Sequence, residues 1–279
     1  MSGLLSSYEP LIRLSAFAGV FALIAGWEIM APRRRQQIGR GRRWPSNIGV
    51  VVLDTILVRL LLPTTAVGVA LLAETRGWGL FAALSLPDGF AVVLGVILLD
   101  LAIYLQHVLF HAVPALWRLH RMHHSDLEFD VTTGARFHPI EILFSMGIKL
   151  GVVAALGVPA LGVVIFEVLL NATSLFNHGN VRVPASIDNI LRWIVVTPDM
   201  HRVHHSISPR ETNSNFGFNL PWWDRLFGTY RAEPKDGHER MVIGIHQFRT
   251  ERDLRLDQML IQPLMGTADT YPINERGGE

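Results

Sequence analysis

The chain has 279 residues, of which 49% are hydrophobic and 18% charged, with a mean hydropathy of +0.30. That much apolar side chain excludes disorder, and the charged share falls below the roughly 25% of ordinary soluble domains. A formal net charge of +1 argues against a general nucleic-acid binder, and the lack of cysteine excludes disulfides, thiolate metal sites, iron–sulfur clusters and cysteine nucleophiles.

Apolar stretches of bilayer-spanning length follow in chain order. Leu11 to Met30 supplies about the 20 residues a helix needs to cross roughly 30 Å of hydrocarbon. The second span is clearest from Ile56 to Ala73, with Arg59 near its start placed to snorkel outward. The third runs from Gly89 to Gln106. Glu141 to Phe176 is too long for one span and is interrupted by Gly157-Val158-Pro159, which predicts two helices in a tight hairpin.

Between the first two spans lie Arg33, Arg34, Arg35, Arg40, Arg42 and Arg43, with no acidic residue among them. A short loop this basic is expected to stay in the cytoplasm. Its charges follow the first apolar run, the reverse of a secretory signal peptide. The N-terminus is then expected outside. Parity brings the end of the third span and everything after the hairpin to the cytoplasmic side. From about Asn177 the chain reads as cytosolic, and residues 206–279 carry nine Lys or Arg and eleven Asp or Glu.

Ten of the twelve histidines fall between His107 and His205. His107 and His111 are spaced i, i+4 at the foot of the third span, so they share a helical face. His120, His123 and His124 form an HxxHH pattern, which His201, His204 and His205 repeat, each read as one helical face; His178 stands between them. Single histidines of this kind are usually packing residues. Two helically phased HxxHH groups plus HxxxH, all brought to one membrane surface by the topology, predict a metal site. One tetrahedral metal is saturated by four ligands, so nine histidines point to two ions. Imidazole suits zinc, copper, iron and nickel alike. No HExxH of a helical zinc hydrolase is present. A dinuclear imidazole-rich site at a bilayer edge suits redox attack by iron and dioxygen on an unactivated lipid C–H bond.

These residues resemble the fatty acid hydroxylase/sterol desaturase superfamily of integral-membrane di-iron proteins. Asp100-x-x-x-Tyr104-x-x-His107-x-x-x-His111 is similar to its first histidine box, and His120-Arg121-Met122-His123-His124 to its second. Arg136-Phe137-His138-Pro139-Ile140-Glu141 resembles its HPxE segment, Asn177-His178-Gly179-Asn180 its isolated histidine, and Thr197 to His205 its last box. Asn215-Phe216-Gly217 with Trp223 to Tyr230 resembles its closing signature, so the likeness covers about residues 90–231.

The resemblance implies iron on His107, His111, His120, His123, His124, His178, His201, His204 and His205. Some relatives have HxxxH at the third group, where this chain has Ser174 four residues before His178, which leaves a place for water or a carboxylate. Asp100 is assigned a hydrogen bond to a ligand histidine, and His138 is a weaker candidate that equally fits a turn into the next span. Trp223-Asp224 and Phe227-Gly228-Thr229 are expected to pack the cap beneath the metals.

The fold expected is an all-α polytopic bundle of about five spans with a cytosolic helical cap. It divides into N-terminal spans and basic loop (1–88), a catalytic domain (89–231) and a C-terminal cytosolic tail (232–279). The expected function is O2-dependent hydroxylation or desaturation of a lipid with two iron ions. Electrons come from a separate reductase, ferredoxin or cytochrome, because no nicotinamide, flavin or haem motif is present; the arginine-rich face is a candidate docking surface for it. A carotenoid-type hydroxylase, a membrane zinc hydrolase and a metal transporter or sensor remain alternatives.

Overall fold

The computed structural model describes residues 2–273, and side chains from residue 8 onward; residues 274–279 of the expected tail lie outside the described residues. The principal helices are α1 (Ser2–Met30), α2 (Arg40–Leu61), α3 (Ala66–Arg76), α4 (Asp88–Ala112), α5 (Pro114–His124), α6 (Pro139–Leu156), α7 (Ala160–Asn177) and α8 (Pro198–His204). No strand occurs among the described residues, only two isolated bridges, Pro32 with Val181 and Ser206 with Ile243. Five segments are long and apolar enough to cross a membrane: Tyr8–Met30, Arg40–Ala83, Asp88–Ala112, Pro139–Leu156 and Ala160–Asn177.

The second of these departs from the expected Ile56–Ala73. Helix α2 ends at Leu61 because Pro63 has no N–H for the helical ladder, and Thr65 then caps α3 by accepting from Gly68 N at 3.1 Å. At its other end α2 begins inside the basic run, so Arg40, Arg42 and Arg43 form a helical first turn instead of a loop. The long apolar stretch breaks where expected: α6 ends on Gly157, whose φ of +68° suits glycine, and Pro159 precedes α7. These two helices do not simply pack on each other, for α4 lies against both, and α7 also packs along α1. Leu99, Ile103, Val153, Val163 and Phe166 form the apolar centre of that packing. Within it the Glu167 carboxylate is buried and takes Lys149 from α6 and Arg13 from α1 at 3.0 Å, since a charge at that depth requires a partner.

One end of the bundle gathers the chain's polar features. Immediately after α1, Arg33 N donates to Asn180 O (2.9 Å), three residues beyond α7. Arg43, at the start of α2, is fully buried and forks onto Asp126 with two bonds of 2.7 Å, while its third nitrogen meets Asp130 at 2.6 Å. The foot of α4 and the first turn of α6 meet there as well. The remaining arginines of the run are also engaged: Arg33 with Asp199 and Glu239, Arg34 with Met241 O, Arg40 with Glu28 and Arg42 with Glu251. Within the basic run Arg43 is part of the internal framework, whereas Arg42 stays exposed in its pair with Glu251 and Arg35 is exposed without such a partner among the described residues. Beyond Asn177 the chain forms short helices joined by extended segments.

Candidate metal centre

Each histidine group is delivered by a local feature. Val113 is extended before Pro114, which occupies the first turn of α5, so the chain folds back at the foot of α4 and sets His120 and His124 against His107 and His111. Thr197 caps α8 through Met200 N, with Pro198 as its first residue, and this short helix carries His201 and His204. His178 ends α7, beneath the turn at residues 133–135. There a Cβ on Gly134 would lie 2.4 Å from Ser174 O and 3.1 Å from His178 Nδ1, so only glycine permits the approach.

All nine expected ligands are buried, and they sort into two centres. His107, His111, His120, His124 and His204 form one, and His123, His178, His201 and His205 the other, with the ligand nitrogens of each group within 4.8 Å of one another. Each HxxHH group is divided between the centres and does not serve a single site: His123 leaves its neighbours for the second centre, and His204 leaves its own for the first. The two centres are adjacent for that reason.

The hydrogen bonds settle which nitrogen faces inward. Nδ1–H of His107 donates to Phe216 O (2.7 Å), that of His204 to Ser214 O (2.8 Å), that of His123 to Arg136 O (3.2 Å) and that of His178 to Ser174 O (2.8 Å). A carbonyl oxygen only accepts, so these tautomers are assigned by their partners. His120 Nδ1 donates to Glu141 Oε1 at 2.6 Å. His111 Nδ1 donates to Asn213 Oδ1 at 3.0 Å, and the Asn213 amide is held in that sense by Nδ2 donating to Pro209 O and Tyr271 O. The unprotonated Nε2 atoms consequently oppose one another, His107 and His120 at 3.1 Å and His123 and His178 at 3.1 Å, while His111 Nε2 faces His124 Nε2 at 3.2 Å. For His123 and His178 both Nδ1 protons are committed, so two lone pairs face each other in a buried space. Nε2 of His204 and of His205 also lacks a partner there among the described residues. A cation in each cluster relieves both conditions, and protein acceptors that hold the distal ring nitrogens are the usual support of metal-binding imidazoles.

Protonation does not relieve them. Burial pushes His120 and His178 down to about 3, and burial together with neighbouring imidazoles holds His123, His124, His201, His204 and His205 well below the ordinary histidine range. The rings are neutral at physiological pH, the state in which they bind metals. No carboxylate belongs to either cluster among the described residues. At the position where some relatives have another histidine, Ser174 supports His178 through its carbonyl, while its hydroxyl donates to Gly134 O at 2.7 Å.

Two expected residues lie outside this ligand set. Asp100 makes no bond to a histidine; it accepts from Asn219 N (3.4 Å), Leu220 N (3.3 Å) and Trp223 Nε1 (2.8 Å). Seven residues place it on the His107 face but two turns away, about 10 Å along the axis. His138 caps α6 by accepting from Ile140 N (3.2 Å), and its Nε2 donates to Leu260 O (3.2 Å). Asp224, expected beneath the metals, accepts from Phe216 N (2.7 Å) and Gly217 N (2.8 Å) and so holds the segment whose carbonyl supports His107. Glu141 was given no individual role from sequence, although an acid in the first turn of an apolar span signals a buried partner. Nothing in composition or spacing points to the carbonyl acceptors, to Phe137 stacked on His123 at 4.4 Å, or to Phe218 beside His107 and His201.

Comparison with known proteins agrees with this geometry. Residues 92–229 match the fatty acid hydroxylase family model. The ornithine lipid hydroxylase of Rhizobium tropici is 35% identical over 149 residues, 53% of this chain and 44% of that protein. The alkylglycerol monooxygenase of Xenopus tropicalis is 31% identical over 151 residues (52% and 31%), and human cholesterol 25-hydroxylase is 28% identical over 142 residues (49% and 49%). The chain thus spans less than half the length of each of these relatives. No solved structure matches it. The matched segment runs through the foot of α4, both HxxHH groups, His178 and the segment that supports His107. The chain belongs to the fatty acid hydroxylase superfamily, a group whose named relatives here are lipid hydroxylases and monooxygenases, and with its five apolar helices it is a multi-pass membrane member.

Proposed function

We propose that this protein is a membrane oxygenase that inserts one oxygen atom of O2 into a lipid C–H bond, using two iron ions held by the nine histidines. The balanced reaction converts R–H, O2, two electrons and two protons into R–OH and water. Bound iron supplies the one-electron redox steps that no side chain of this chain can perform. The observation that carries the reading is the pair of adjacent, buried, imidazole-only clusters at the membrane end of a span, in a chain whose relatives are lipid hydroxylases.

The protein's own groups orient and insulate. Carbonyls of Phe216, Ser214, Arg136 and Ser174 hold four rings in the metal-binding tautomer, and Glu141 and Asn213 hold two more. The C-terminal segment covers this end of the molecule: Arg121 reaches the carbonyls of Gln262, Met265 and Thr267, and Tyr271 stacks on Trp117 at 5.3 Å. Such a cover limits water at the site. The reaction needs electrons from a separate donor protein. The histidines and the basic run lie at the same end of the bundle, and the positive-inside rule supports a cytoplasmic active site with the N-terminus outside.

The test is metal and product analysis of the detergent-purified protein, with His204→Ala alongside. About two irons per chain, falling in the variant, with an O2-dependent lipid alcohol when a reductase system is supplied, is the expected result. Turnover without O2, or with zinc after anaerobic iron reconstitution has failed, overturns the reading.

A further inference from the structure

Two short segments beyond α7 are polar inside and apolar outside. In the helix Ala185–Leu191 and the three residues after it, Asp188 and Arg192 turn inward and pair with each other. Ile187, Ile190, Trp193 and Ile194 are instead between 50% and 66% exposed. In the helix Trp222–Leu226 and at Phe227, Asp224 is buried against Phe216 N and Gly217 N, while Trp222, Leu226 and Phe227 are between 46% and 70% exposed. The segments form one surface, since Trp222 Nε1 donates to Trp193 O (2.9 Å) and Arg225 Nη2 to Arg192 O (3.0 Å). The Arg225 guanidinium is half-buried between the rings of Trp193 (3.7 Å) and Tyr230 (4.0 Å), so no charged side chain of either segment is exposed. A surface that faces water sorts its side chains the opposite way, and a contiguous apolar patch marks a contact.

Two spans set the depth of this surface. Asp100, at the midpoint of α4, lies seven residues and about 10 Å along the axis from His107, and its carboxylate holds Asn219 N, Leu220 N and Trp223 Nε1. One turn nearer the histidines, Tyr104 stacks on Phe227 at 5.4 Å and shares a hydrogen bond with Thr229 Oγ1 (2.9 Å). On α7, Thr173 donates to Asn219 Oδ1 from five residues, about 7 Å, before His178. Both helices therefore draw residues 219–227 down beside the spans, below the level of the histidines. Trp222 borders the same shallow depression as Val93, Ile165 and Leu169, which are exposed on those spans. The apolar outer face of the bundle thus continues onto the two segments without a break.

We propose that residues 187–194 and 222–227 form a wedge seated in the bilayer itself, at the boundary of headgroups and acyl chains in the leaflet on the histidine side. Ile190, Ile194 and Leu226 insert among the lipids, and Trp193 with Arg225 supplies the aromatic and cationic pair suited to headgroup depth. Part of the chain beyond Asn177, expected in the cytosol throughout, then lies in the membrane. The occupant is lipid and not a docked electron-donor protein, because the patch offers no exposed charge to steer one. The wedge rests on the membrane assignment and is independent of the oxygenase reading.

The chain has no cysteine, so a single introduced thiol is unique and can carry a nitroxide. Ile190→Cys and Leu226→Cys, one on each segment, are labelled in the full chain, placed in phosphatidylcholine nanodiscs and power-saturated against oxygen and against a water-soluble nickel chelate. Val93→Cys on the outer face of α4 is the deep standard and Arg252→Cys, exposed in the C-terminal segment, the aqueous one. Both test labels should lie roughly 5–10 Å below the phosphates, between the two standards. Nickel access equal to that at Arg252→Cys overturns the wedge, and depth at only one of the two positions overturns the single surface. Shielding from oxygen and nickel alike means protein cover, by a partner or a second copy, and overturns lipid as the occupant.

Discussion

The two histidine clusters draw on the same HxxHH groups yet are held in different ways. In the five-histidine centre, four rings have Nδ1 fixed by an acceptor: Phe216 O for His107, Asn213 for His111, Glu141 for His120 and Ser214 O for His204. In the four-histidine centre only His123 and His178 are fixed in this way, and His201 Nδ1 and both nitrogens of His205 have no partner among the described residues. Aromatic rings pack on both centres, Phe216 and Trp117 on His111 at 5.0 and 4.9 Å in the first and Phe137 on His123 at 4.4 Å and Phe129 on His178 at 5.5 Å in the second, so the hydrogen bonds make the difference. A hydrogen bond fixes both tautomer and ring direction, whereas stacking constrains the ring plane alone. The first centre is thus redundant in ligands and well oriented, and the second has neither margin.

The largest contrast should come from deleting one ring in each. His178→Ala leaves three histidines and should cost the second centre its metal, about one ion per chain. His111→Ala leaves four and should retain most of its own. Metal analysis after dialysis against a chelator reads this, and equal losses would abolish the distinction.

A smaller effect separates the two kinds of support. Glu141→Ala should weaken metal binding at the first centre by about 10- to 100-fold, with partial recovery in Glu141→Gln, which keeps an acceptor for His120. Phe137→Ala, which removes the ring stacked closely on His123 at 4.4 Å and more distantly on His120 at 6.2 Å, should cost only about 1 kcal/mol at the second centre and less at the first. Chelator competition measures both, and a larger effect from Phe137 would reverse the assignment of the better oriented centre.

The mildest test is acid stability of the metal-stripped protein. His120 and His178, pushed down to about 3 by burial, bind fewer protons folded than unfolded between pH 3 and the ordinary 6.5. Stability therefore falls as pH drops through 6.5. Asp126 and Asp130, held below the ordinary carboxylate range by Arg43 despite their burial, stabilise the fold above about pH 4 and lose that contribution only at lower pH. Melting temperature should decline from pH 6.5 downward, the loss from the many buried histidines outweighing the opposite contribution of Asp224, which burial pushes up to about 6. A flat profile to pH 4 would mean that the folded rings already accept protons.

Much of this was legible from residue order. Hydropathy placed the apolar segments, and histidine spacing named the nine residues that the fold gathers. Asp100 shows where spacing stops: helical phase put it on the His107 face, but two turns separate their side chains, and backbone amides 119 and 120 residues later claim the carboxylate. Pro63 was visible in the sequence, yet continuous hydropathy hid the break it causes between α2 and α3.

Sequence by itself determined the membrane class and the ligand chemistry, because hydrophobic length and imidazole content are properties of the chain read residue by residue. Tertiary structure alone decided how the nine rings divide into five and four, which nitrogens turn inward, and that Arg43 of the basic run is buried in the internal framework. Those outcomes depend on carbonyls, carboxylates and aromatic rings supplied by segments distant in the chain, and no local pattern encodes which of them will meet.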